Sequence, residues 1–247
     1  MQPTACLIII GNEILSGRTQ DKNVSWLAQK LNEQGIKLAH VRIIPDVEQI
    51  IIETVNACRP AYDHVFTTGG IGPTHDDITA ASVARAFGVK LLRHPEAERR
   101  LLAHYRPEQI NEARMKMADI PEGATLIDNP VSTAPGFQLG NVFVLAGVPN
   151  IMQAMFDSLK SNLKSGEKTL SRTLKTNLAE GTLAKDLSDI QSRYPDVEIG
   201  SYPHFQMGQL STSLVFRSTS AEKLDASLSE TRIALVALGG EAEELYS

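Results

Sequence analysis

The chain has 247 residues, 42% hydrophobic and 21% charged, with a formal net charge of −5. This length and composition suffice to bury a core and argue against disorder. The acidic balance argues against nucleic-acid binding by counterion release, no apolar run reaches the roughly 18–20 residues of a membrane span, and the first residues lack the basic start and cleavage site of a secretory signal.

Residues 5–10 are a continuous apolar run, which suits a strand covered on both faces. The run ends at Gly11-Asn12-Glu13. Asp21 is placed to cap a helix that carries Val24, Leu27, Ala28 and Leu31 on one stripe and closes at Gly35. Residues 38–44 read as the next strand. Asp46, with Gln49 three residues on, resembles a capping box opening a helix through Cys58, and Pro60 ends it. Residues 64–67 read as a third strand, 69–77 as a loop, and 79–87 as a helix stopped by Gly88. This βαβαβα series predicts an α/β fold with a mostly parallel sheet and helices on both faces. Residues 94–116 follow a helical pattern broken at Pro107, and their mixed charges suit solvated helices. Residues 137–144 read as a hairpin about Gly140-Asn141, and Asn150 as the cap of a helix running to about 163.

The polar stretch 161–168, with Gly166 inside it, reads as a linker. Beyond it come strand 169–178, helix 183–193, strands 197–202 and 211–217, and helix 221–238, a second, small α+β unit. The expected domains are therefore 1–165 and 166–247. Tyr202-Pro203-His204-Phe205 reads as an aromatic turn used in packing or an interface, and Trp26 as core packing. Cys6 and Cys58 sit in apolar settings and read as buried thiols, which points to a reducing, cytoplasmic home.

The chemistry is expected in the loops that leave the strands, because open α/β sheets bind ligands at the carboxyl ends of their strands. In Thr67-Thr68-Gly69-Gly70-Ile71-Gly72-Pro73-Thr74-His75-Asp76-Asp77, the glycines allow close backbone approach and expose N–H groups, and Thr68 and Thr74 add hydroxyls. The constellation suits phosphate or pyrophosphate. It is neither a P-loop nor a GxGxxG fingerprint. Asp76 and Asp77 beside an anion cradle suit a divalent cation such as Mg²⁺ bridging carboxylate and phosphate oxygens; one of them alone is explained as a helix-start carboxylate. His75 is open between ligand, base and loop side chain. Glu13 follows an apolar strand, where a carboxylate needs a partner, either a ligand or the backbone, and Ser16 is a second polar wall. Ser132 and Thr133, in a loop stiffened by Pro130 and Pro135, offer further donors or simply form a rigid turn. The amides of Ala146-Gly147-Val148 are placed equally for an anion or a plain turn.

Gly11-Asn12-Glu13-Ile14-Leu15-Ser16-Gly17, the glycine loop with its two aspartates, Asn129-Pro130-Val131-Ser132-Thr133-Ala134-Pro135-Gly136-Phe137 and Leu145-Ala146-Gly147-Val148-Pro149 occur in an order that resembles the molybdopterin-binding (MoCF biosynthesis) domain family. The nearest branch is the N-terminal part of the competence/damage-inducible protein A (CinA) type, which is similar to the molybdopterin-binding-like half of FAD synthase. The stretch after 169, including Ile199-Gly200-Ser201-Tyr202-Pro203, resembles the small domain that follows in that branch. The resemblance implies a three-layer α/β/α domain, dimers or trimers, and a ligand that is molybdopterin or a nucleotide. It further implies metal-dependent hydrolysis of a nucleotide pyrophosphate such as ADP-ribose or FAD. By match, Thr68, Gly69, Gly70 and Gly72 cradle phosphate, Asp76 and Asp77 hold the metal and serve catalysis, Glu13 faces the same pocket, and Ser132 and Thr133 line it. Ser132 stands where many relatives carry Gly, and Gly147-Val148-Pro149 where a Gly-Pro-Pro turn is common. The amidase-type domain of full-length competence proteins has no counterpart in these residues, so nicotinamide-nucleotide deamidation is not carried over. A hydrolase and a non-catalytic molybdopterin carrier both remain open from the sequence; the acidic pair favours the hydrolase.

Overall fold

A computed structural model describes residues 2–206 and 209–245; the outermost residues of the two expected domains, Met1 and Ser247, lie outside them. The chain forms two compact units, one ending at Gly166 and the other beginning at Glu167.

The first unit is built on a sheet in the order β2-β1-β3-β8-β7-β6. Its strands are β1 (Thr4–Ile10), β2 (Lys37–Ile44), β3 (His64–Thr68), β6 (Thr125–Ile127), β7 (Gly136–Leu139) and β8 (Val142–Leu145). β2, β1, β3 and β8 run parallel; β7 runs against them, and β6, antiparallel to β7, returns to their direction. A separate short ribbon joins β4 (Leu91–Arg93) to β5 (Asp119–Pro121). The helices are α1 (Asn12–Leu15), α2 (Asn23–Glu33), α3 (Glu48–Cys58), α4 (Thr79–Phe87), α5 (Pro95–His104), α6 (Glu112–Met115) and α7 (Pro149–Leu159). Single 3-10 turns cover Pro107–Gln109, Lys116–Ala118 and Lys160–Asn162.

The alternation of a strand explains why β1 is apolar throughout. Cys6, Ile8 and Ile10 enter one core with Ile51 and Val55 of α3 and Val83 of α4; Leu7 and Ile9 enter the other with Leu27 and Leu31 of α2 and Phe156 of α7. Each fully buried Ile, Leu or Phe side chain is worth about 1.5–3 kcal/mol, so a strand buried on both faces anchors both layers at once. Trp26 packs edge-on against Phe156, with ring centroids 5.6 Å apart. Cys6 and Cys58 are buried free thiols. The expected mostly parallel α/β sheet with helices on both faces is what the chain forms.

The local signals hold at some element ends and not at others. Asp21 accepts the N–H groups of Asn23 and Val24, as expected of a cap. α4 has the expected bounds and closes on Gly88 in the left-handed conformation. Asp46 does not build a capping box: its carboxylate takes the N–H of Asn12 at 2.8 Å, and Gln49 pairs with Glu53. Asn150 is not the cap of α7, because Pro149 occupies its first turn, where a missing N–H costs nothing.

The second unit has an antiparallel sheet in the order β10-β11-β9-β12. It comprises β9 (Leu170–Thr176), α8 (Glu180–Arg193), β10 (Glu198–Gln206), β11 (Gln209–Ser218), α9 (Ala221–Ala237) and β12 (Glu243–Leu245). Leu174, Leu214 and Phe216 of the sheet pack on Leu183 of α8 and Leu224, Leu228 and Leu235 of α9. Tyr202-Pro203-His204-Phe205 lies inside β10 and is not a turn.

In the first unit the chain leaves β1, β3 and β8 on one edge, and β7 starts there because it runs the other way. β2 and β3 flank β1 on opposite sides, so β1 and β3 part at a topological switch point, where ligands enter open α/β sheets.

Candidate functional site

The loop after β3 is shaped by two glycines. Gly69 has φ +101° and Gly70 φ +68°. A Cβ on Gly69 would stand 2.1 Å from the Ile10 carbonyl oxygen, and one on Gly70 2.2 Å from Thr79 Oγ1. Thr79, the first residue of α4, holds this turn: its hydroxyl donates to the Gly69 carbonyl and its N–H to the Gly70 carbonyl, both at 3.0 Å. The carbonyls are thereby engaged by the protein. The N–H groups of Gly70, Ile71 and Gly72 make no bond within the protein among the described residues. They stand on a cleft of about 580 Å³ that is also walled by Glu13, Asp46, Asp76, Asp77 and Ser132. A neighbouring cavity of about 40 Å³, reached by Lys116 and Met117, has room for a few waters and no more.

The acidic corner divides into two roles. Asp77 accepts both the N–H of Thr74, at 2.8 Å, and the Thr74 hydroxyl, so its carboxylate holds the turn. Lys116 Nζ donates to the Thr74 carbonyl at 2.9 Å and holds the same residue from the other side. Asp76 is turned to solvent, its side chain 63% exposed, and His75 beside it is 98% exposed. The same Thr74 hydroxyl, shared between the two aspartates, and then the backbone N–H of Asp76 itself hold the Asp76 carboxyl below its ordinary range; the charges of His75 and Lys116 add to this.

Among the sequence candidates, the cleft brings together Glu13, Gly69, Gly70, Gly72, Asp76, Asp77 and Ser132. Five others do not line it, His75 on its exposed loop and four more. Thr68 is buried at the end of β3, and its hydroxyl has no partner there. Thr74 gives its hydroxyl to Asp77. Ser16 gives its own to the Glu13 carbonyl. Thr133, at φ +68°, meets His104 Nδ1 at 3.1 Å through its hydroxyl. Residues given no ligand role from sequence also stand in the cleft: Thr19, Asp46, Asn129, Met117 and Met155. Asp46 follows a strand and reads as a helix cap; Lys116 reads as the last residue of a solvated helical stretch, and Met117 lies just beyond it.

Among the described residues, no three His, Cys, Asp or Glu are placed together to hold a metal ion. The donor set near the glycine turn is two hard carboxylates, one of them already serving the loop. That set fits a cation sharing its oxygens with a bound phosphate, as Mg²⁺ does, and not a metal held by the protein alone.

Residues 6–165 match the family described as "Probable molybdopterin binding domain". The chain belongs to this molybdopterin-binding family, in its CinA-type branch. Residues 168–236 match the "FAD synthase, middle domain". A protein of Archaeoglobus fulgidus is 39% identical over 197 residues, covering 80% of this chain and 84% of that one. A "Probable FAD synthase" of Caenorhabditis elegans is 33% identical over 255 residues, 93% of this chain and 49% of its own length. A "CinA-like protein" of Syntrophus aciditrophicus is 35% identical over 212 residues, 81% of this chain and 50% of its own. This member of the family thus spans about half the length of those last two relatives. The crystal structure of CinA from Thermoplasma acidophilum superimposes with a TM-score of 0.60 at 32% identity, over 64% of this chain and 98% of that one. No helix among the described residues is long and apolar enough to cross a membrane.

Proposed function

We propose that the cleft binds a pyrophosphate-containing nucleotide or pterin and that the protein hydrolyses the phosphoanhydride, of the ADP-ribose or FAD type, with a divalent cation such as Mg²⁺. The observation that carries this reading is the row of unpaired N–H groups at Gly70, Ile71 and Gly72, opening on a cleft that Asp76 and Asp77 share. Its volume falls within the roughly 300–1,000 Å³ of small-molecule sites. The amides take non-bridging phosphate oxygens, and Met117, Val148, Ile151 and Met155 form an apolar wall for a flat ring. A cation bound by Asp76, Asp77 and phosphate would neutralise charge on the leaving phosphate and acidify a water. Water oxygen bonds to one phosphorus, the bridging P–O bond breaks, and two phosphate monoesters leave with the water's protons shared between product and solvent. The likeness of the second unit to the middle domain of FAD synthase supports a nucleotide ligand.

A carrier of molybdopterin is the second reading, and the commitment of Asp77 to Thr74 favours it. Incubation with ADP-ribose, FAD and molybdopterin, with and without Mg²⁺, followed by chromatography, separates the two. Hydrolysis predicts Mg²⁺-dependent release of nucleoside monophosphate, lost in Asp76→Ala. Tight molybdopterin binding with no product at any metal concentration makes the protein a carrier. Because Asp77 holds the turn, Asp77→Asn with a thermal unfolding control is the better test at that position.

A reducing cytoplasm and a homo-oligomer, dimer or trimer, belong to the same proposal. Two buried free thiols, whose sulfurs share a weak hydrogen bond at 3.6 Å, support the first. Val41 and Ile43, exposed on the edge strand β2, support the second, which sedimentation tests.

A further inference from the structure

The loop between β6 and β7 is organised by one carboxamide. Asn129 is 6% exposed. Its Nδ2 donates to Ser132 Oγ at 2.7 Å and to the Ala134 carbonyl at 2.8 Å; its Oδ1 accepts the N–H groups of Val131 and Ser132, each at 3.1 Å. Two donors and two acceptor sites are the full capacity of a carboxamide. The partners also decide which end is which. Turned over, the NH₂ would face two N–H donors and the oxygen would face a carbonyl. The Thr133 N–H donates to the Asn129 carbonyl at 3.0 Å, so Ser132 is held on both sides.

A serine hydroxyl can give a proton or receive one. Here Asn129 approaches Ser132 Oγ as a donor, which leaves the hydroxyl proton to point elsewhere. That proton finds no acceptor within the protein among the described residues, and Ser132 stands on the cleft wall. A donor aimed into the cleft complements an anion, as the glycine-loop amides do.

We propose that Asn129 is a positioning residue that makes Ser132 a donor-only hydroxyl, and that Ser132 thereby binds an anionic phosphate of the ligand. This rests on the reading of the cleft as a phosphate-ligand site and adds the group that recognises charge from the second wall. Asn129→Asp replaces the donating NH₂ with an oxygen, which draws the Ser132 proton to itself and away from the ligand.

The test is calorimetric titration with ADP and with adenosine, in the presence of Mg²⁺, on the wild type, Ser132→Ala, Asn129→Asp and the double variant. Each single variant should weaken ADP binding about tenfold, the scale of one hydrogen bond to a charged group, and change adenosine binding less than about twofold. The double variant should bind ADP no more weakly than Asn129→Asp alone, because both changes remove the same bond. A purely structural role for Asn129 would weaken adenosine equally and give additive losses. Asn129→Ser takes the place of Asn129→Asp if the latter does not fold, with the same coupling expected. A wild type that binds ADP while Ser132→Ala binds it equally well overturns this proposal alone. A wild type that binds no ADP overturns the reading of the cleft, and this proposal with it.

Discussion

Gly69 and Gly70 do more than loosen the chain after β3. Their positive φ values turn the carbonyls toward Thr79 and leave the following amides facing the cleft. Gly69→Ala cannot be absorbed by a side chain moving aside, because the atom in the way is the backbone oxygen of Ile10. We expect this substitution to cost about 1–3 kcal/mol of stability in denaturant unfolding and to abolish detectable ADP-ribose binding. A variant that unfolds normally and binds as wild type would remove the glycine turn from the site. The same loop shows where residue-level reading reaches its limit. Two adjacent aspartates after a glycine turn are visible in the sequence; that one of them is bonded to Thr74 is not, because it depends on how the turn closes.

A short element can matter more to the site than a long one. The 3-10 turn Lys116–Ala118, far from the glycine loop in sequence, delivers Lys116 to the Thr74 carbonyl and Met117 to the cleft wall. Lys116→Met keeps the aliphatic stem and removes the donor. It should weaken phosphate-ligand binding by about three- to tenfold, the worth of one hydrogen bond, with an unchanged thermal unfolding midpoint. An affinity equal to wild type would show that Asp77 holds Thr74 unaided. Elements with a clear hydrophobic pattern, such as β1, α2 and α4, were legible in sequence, because an unbroken apolar run or one helix's stripe already says what it must bury. The three-residue strands β4, β5, β6 and β12 were not, since so few residues carry no period and their pairing is long-range.

Within the first unit, one carboxylate ties the beginning of the unit to its end. Asp63 accepts the Thr4 N–H and the Lys164 ammonium, both at 2.9 Å. The Thr4 N–H first, and then Lys164, lower its pKa from 3.8 to about 2. Because the folded state depresses this pKa, the stability it contributes is complete above 3.8 and is lost as pH falls toward about 2. The thermal midpoint, followed by circular dichroism, should fall through that window in the wild type and fall less in Asp63→Asn, which should start lower at neutral pH. Parallel curves for the two proteins would exclude the bond from the acid response. The alternation of apolar strands with amphipathic helices was enough to announce an α/β unit, and the glycine turn with its acidic neighbours was enough to single out a loop that lines the cleft, because both are written in short stretches of chain. Folding alone chose which carboxylates stay available, put Asn129 beneath Ser132, brought Lys116 to Thr74 and buried Thr68. Each of those outcomes depends on groups distant in sequence meeting at the carboxyl edge of the sheet, and local periodicity holds no information about such meetings.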